Sequence, residues 1–118
     1  MSNNAIKMKM KITYTTSYMI SFNRFFSEAL RLKEKDRIAI SIDHEKTFIQ
    51  FHKALDDTSG YKFSLRKGSM KIYNKQLIGK LIDCFQLSGT QWRFNKSTYI
   101  EEDGLSKIRF LVESKHKK

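Results

Sequence analysis

The chain predicts a mainly β fold with two short helices, an α+β architecture, and three observations carry that prediction. Several short stretches alternate apolar and polar residues with period two. Two stretches instead follow helical spacing, and one β-β-α-β-β order is legible twice. The second copy is offset by 51 residues: Lys11-Ile12-Thr13-Tyr14 falls on Lys62-Phe63-Ser64-Leu65, Met19 on Met70, Phe22 on Tyr73, Asn23 on Asn74, Phe26 on Leu77 and Leu30 on Leu81. After a gap of three residues, Asp36-Arg37-Ile38-Ala39-Ile40 falls on Thr90-Gln91-Trp92-Arg93-Phe94. Repetition at a fixed period constrains architecture more than a single motif does.

Each element has a local cause. Over residues 6–14, Ile6, Met8, Met10, Ile12 and Tyr14 make an apolar face, and Lys7, Lys9, Lys11 and Thr13 the opposite one; that is a strand with a buried side and a lysine side. Residues 15–17 turn the chain into a short strand over 18–21. Asn23 is a suitable N-cap, and Phe22, Phe25, Phe26, Ala29 and Leu30 follow one helical face that ends at the charged residues 33–35. Ile38, Ile40 and Ile42 alternate again, and residues 43–46 turn into a strand over 47–52. Residues 54–60, rich in turn formers, lead to the second copy. There Tyr61, Phe63 and Leu65 alternate with Lys62, Ser64 and Arg66, Gly68 marks a turn, and a strand covers 70–73. Asn74 caps a helix with an apolar face of Leu77, Ile78, Leu81, Ile82 and Phe85, stopped by Ser88-Gly89. Strands near 90–98 and 105–113 follow, joined by the hairpin signal Asp103-Gly104.

The 118 residues fit a single domain, with one unit over about 5–53, a second over about 58–113 and a basic tail at 114–118. At 40% hydrophobic and 13% aromatic, the chain is not of a disordered type. Its 23 Lys and Arg against 12 Asp and Glu leave a net charge of +11, which favours polyanionic partners, nucleic acid before an anionic surface. Cys84 is the only cysteine, so no intrachain disulfide forms; a reducing, cytoplasmic setting is expected, with Cys84 as a small core thiol. No apolar run reaches the length of a membrane span.

Residues 32–43, Leu32-Lys33-Glu34-Lys35-Asp36-Arg37-Ile38-Ala39-Ile40-Ser41-Ile42-Asp43, with Glu45-Lys46-Thr47-Phe48-Ile49, resemble the AbrB-type swapped-hairpin family, and a tandem pair of units is similar to MraZ-like regulators. The resemblance covers residues 9–53 in sequence and 61–113 in pattern. It implies two β-β-α-β-β units interlocked into one swapped-hairpin barrel, and a duplex-DNA-binding transcriptional regulator whose basic first strands and turns face the phosphates. Lys11, Arg66 and Lys67 take the family's basic strand-and-turn positions, and Gly68 its turn glycine. Other DNA-facing positions depart: Ser17-Tyr18 and Gly68-Ser69 stand for its glycine-arginine, Asn23 and Asn74 for its proline, and Ser27-Glu28 for its arginine pair.

Alternate residues on a strand lie roughly 7 Å apart, comparable with a nucleic-acid phosphate repeat. The candidate nucleic-acid-binding set is therefore Lys7, Lys9 and Lys11 on the first strand, with Arg24, Arg66, Lys67, Lys71 and Lys75 around the turns and helix starts. The plain alternative is a solvated strand face guarded by lysines. Tyr18, Tyr61, Phe63 and Trp92 are candidates for stacking on unpaired bases, though their alternating strand positions favour core packing over that role. His44, His52 and His116 share no ligand spacing with one another or with Cys84. Asp43, His44 and Glu45, like Asp56-Asp57 and Glu101-Glu102-Asp103, read as turn residues. No cofactor, metal or enzymatic activity is expected. Duplex DNA is the favoured partner, with homo-oligomer formation as a further expectation. A protein-interaction module on the same fold and a single-stranded nucleic-acid binder are the alternatives.

Overall fold

A computed structural model describes residues 8–43, 45–56 and 58–112. The expected strand start at Ile6 and Lys7, His44, Asp57, and the basic tail with His116 lie outside the described residues. In chain order the elements are β1 (Met10–Tyr14), β2 (Tyr18–Phe22), α1 (Arg24–Ala29), β3 (Ile38–Ile42), β4 (Phe48–Lys53), β5 (Ser64–Arg66), β6 (Ser69–Tyr73), α2 (Lys75–Phe85), β7 (Gln91–Phe94), β8 (Ser97–Glu102) and β9 (Leu105–Leu111). The architecture is α+β and mainly β.

The strands form two antiparallel sheets. Sheet I has the order β5-β6-β2-β1-β7, and sheet II the order β3-β4-β9-β8. They do not close into the expected barrel. The reason lies at Asn95 and Lys96: the strand read over 90–98 breaks there, so that β7 pairs with β1 in sheet I and β8 with β9 in sheet II. Each sheet keeps two edge strands. Tyr61, expected to open a strand, makes only an isolated bridge with Ile38. Both sheets nonetheless mix strands from the two halves of the chain.

The offset of 51 residues preserves burial in the helices, where Phe26 and Leu77, and Leu30 and Leu81, are all buried, but not in the strands before them. It lays buried Phe22 on Tyr73, which is 61% exposed, and buried Ile20 on exposed Lys71. The side chains that share a face are Ile20 with Ile72 and Phe22 with Met70, directly opposed across β2 and β6. Between its last buried residue, Ile72, and the helix cap, the second half carries one residue more than the first. A slip of one residue exchanges the two faces of a strand.

The core lies between the sheets. Phe22, Phe26, Phe51 and Phe110 meet there, with Phe22 stacked on Phe26 at 4.0 Å between centroids and Phe51 edge-on to both. Six-residue α1 is too short to hold itself. It is fixed by buried Phe26 and by Ser27 Oγ, which donates to the Gly68 carbonyl at 2.6 Å. Arg31 closes it in a left-handed conformation, φ 55°, its N–H donating to the Glu28 carbonyl. In α2, Asn74 Oδ1 accepts from the Leu77 N–H at 2.9 Å, and Leu77, Ile78, Leu81 and Phe85 are buried. The helix stops at Gln86, φ 52°, ahead of the expected Ser88-Gly89. Cys84 is half-buried against the core.

Candidate nucleic-acid interface

The lysine face of the first strand is the starting point. Met10 and Ile12 turn into the core, so Lys9 and Lys11 face out from sheet I. The strand registers then decide what stands beside them. Ser64, Lys71, Ser21, Lys11 and Arg93 lie directly opposite one another on the five adjacent strands. The result is one row across the whole sheet, with three cations in it.

Around this row the outer face forms an open groove of about 340 Å³. Lys9, Lys11, Lys71 and Arg93 supply four positive charges to its lining, Ser21, Asn23, Ser69 and Asn95 supply neutral polar groups, and among the described residues no acidic one lines it. Among the described residues, none of the four cations has a side-chain hydrogen bond or ion pair. Asn23 stands at the N-cap position of α1 but does not cap it. Its Oδ1 accepts from the Lys9 N–H at 3.2 Å, and its own N–H donates to the Lys9 carbonyl. The segment carrying Lys9 is thereby tied to the end of β2.

The outer side of sheet II differs. Arg109 Nε donates to Gln50 Oε1 at 2.8 Å, and its guanidinium lies 4.6 Å from the centre of the Phe48 ring. Lys107 Nζ lies 2.9 Å from Glu102 Oε1, which holds that carboxyl below the usual carboxylate range through the hydrogen bond first and the charge second. Cations here are compensated within the molecule.

Of the expected binding set, Lys9, Lys11 and Lys71 come together in the groove. Arg66 stands opposite groove-lining Ser69, at the edge. Lys67 and Gly68, φ 54° and 87°, form the adjoining two-residue turn. Arg24 sits against that turn: a Cβ on Gly68 would lie 2.9 Å from the Arg24 Cβ, so glycine is required there on two counts. The Arg24 guanidinium makes an exposed contact of 3.8 Å with Glu28. Lys75 is elsewhere, its ammonium 5.0 Å from the centre of the Tyr18 ring. Lys7 lies outside the described residues. Tyr18, Tyr61, Phe63 and Trp92 are all half-buried against the core, with Trp92 Nε1 donating to the Ser88 carbonyl, so none stands in the groove.

Arg93 was missed from sequence. The signal for Arg93 was its place between apolar Trp92 and Phe94, which turns it outward; its strand partner was not readable. No described helix is long and apolar enough to cross a membrane. The chain matches no family model, no curated protein and no solved structure, so the AbrB-type resemblance stands on its quoted residues alone.

Proposed function

We propose that this protein binds nucleic acid on the outer face of sheet I, with phosphates seated against Lys9, Lys11, Lys71 and Arg93. One observation carries the reading: among the described residues the groove gathers four cations and no acidic side chain, and none of the four is paired. A fixed, uncompensated positive site attracts a polyanion and displaces its counterions on binding. Ser21, Asn23, Ser69 and Asn95 add neutral groups suited to phosphate and sugar oxygens. A duplication of a β-β-α-β-β unit is part of this reading. The AbrB-type resemblance points to regulation of transcription on duplex DNA, and a single strand is the other ligand this face can take. Phosphates are common to duplex and single strands, and the groove by itself supports nucleic acid as a class.

Fluorescence anisotropy with labelled duplex and single-stranded oligonucleotides, at low and physiological salt, tests it. Four phosphate contacts give a log–log salt slope of about −3.6 on duplex and about −2.8 on a single strand. The pair Lys11→Ala and Arg93→Ala lowers that slope by about 2. Absence of binding at low salt would refute the proposal.

A further inference from the structure

Resting on the nucleic-acid reading, we infer that the preferred ligand is a single strand, and that Tyr73 stacks on one of its bases. In β6 the buried residues are Met70 and Ile72, so Tyr73 shares the outer face with Lys71, about 7 Å further along the strand. Its ring is 61% exposed, the most exposed aromatic among the large hydrophobics of the described residues. Its side chain has no hydrogen bond, ring contact or cation contact with another described residue. Half-buried Met19 lies directly opposite on β2. An open aromatic face thus adjoins a row of unpaired cations, the pairing of features by which single strands are held: charge tracks the backbone, and an aromatic ring takes a base.

Dimensions favour a single strand over a duplex. Five strands about 4.8 Å apart span about 19 Å, whereas the major groove of B-DNA is about 12 Å wide. The face as a whole cannot lie in that groove, so against a duplex its row of cations would meet phosphates, and the stacked bases would stay out of reach of Tyr73. A single strand laid along Lys71, Lys11 and Arg93 can turn a base onto Tyr73 at the β6 end. Deoxyribose and ribose strands present the same phosphates and base faces.

The test is anisotropy at physiological salt with labelled oligo-dT, oligo-rU and a mixed-sequence duplex, on the full chain. The wild type is expected to bind one of the single strands at least tenfold more tightly than the duplex, and the tighter of the two names the sugar. Tyr73→Ala is expected to weaken single-strand binding on the order of tenfold while leaving duplex binding unchanged. Tyr73→Phe keeps the ring and the affinity, and the exposure of Tyr73 keeps both variants folded. Equal or tighter duplex binding, or a Tyr73→Ala protein that binds oligo-dT and oligo-rU as the wild type does, overturns the single-strand inference alone. A wild type that binds none of the three, at low salt as well, overturns the nucleic-acid reading with it.

Discussion

The two sheets both carry basic residues outward, and they treat them in opposite ways. On sheet II, Arg109 lies between Gln50 and the Phe48 ring, and Lys107 meets Glu102. On sheet I, Lys9, Lys11, Lys71 and Arg93 converge on a groove with no described acidic residue in its lining. A net charge of +11 alone does not distinguish these surfaces. Compensation does: a paired cation spends its field locally, while an unpaired group adds to a potential that an external anion can feel. The contrast locates the candidate site more sharply than the number of lysines could.

The largest effect tests whether the two faces depend on one core. Phe26→Ala removes the ring stacked on Phe22 and facing Phe51, and should cost about 3–5 kcal/mol in urea unfolding. If the groove and the Arg109 side then lose structure together in one transition, the core is common to both. Next comes the contrast itself. Lys11→Glu with Arg93→Glu should weaken nucleic-acid binding on the order of 100-fold at low salt. Lys107→Ala with Arg109→Ala should leave it within about twofold, with little loss of stability, as for other exposed ion pairs. Equal losses from the two pairs would erase the distinction between the faces.

A smaller effect separates the two asparagines at the helix starts. Asn74→Ala should cost about 1 kcal/mol, because its Oδ1 caps α2. Asn23→Ala should spare α1 and instead weaken binding, since Asn23 holds the Lys9 backbone. The smallest concerns the β3–β4 hairpin of sheet II. Burial favours the neutral form of the Asp43 carboxyl. Hydrogen bonds from the Phe48 N–H and from the hydroxyl and N–H of Thr47 outweigh burial and hold it below the usual carboxylate range. The stabilisation is present above the ordinary carboxylate value, about 4, and is lost as pH falls through the lowered folded value. Asp43→Asn should flatten the acid limb of the urea midpoint against pH, leaving binding at neutral pH unchanged.

Much of the fold was legible locally. Period-two alternation marked β1, β3 and the residues of β5, the Gly68 turn placed β6 after it, the apolar stripe marked α2, and Asp103-Gly104 marked the β8–β9 turn, where φ is 55° and 75°. Lys9 and Lys11 were legible as an outward face for the same reason. What sequence could not show is which strands become neighbours. Arg93 reaches Lys11 only through β1–β7 pairing, and Lys71 reaches Ser21 only through β2–β6 pairing; both join distant segments. The comparison of Phe22 with Tyr73 failed through a single extra residue before Asn74, which hid the one exposed ring beside the groove. The break at Asn95 and Lys96 was hidden as well, because β-compatible residues run on both sides of it.

The way the strands interleave has a consequence during synthesis. β1 and β2 emerge early, but β1 lacks its outer neighbour until β7 has been made, and Arg93 rides on that late strand. A nascent chain grows at about 5–20 residues per second, and pairing between segments far apart in sequence is slow to form. On the ribosome, the first half therefore displays its lysines without a groove to hold a ligand. The groove has no half-built version: it appears only when early and late segments meet.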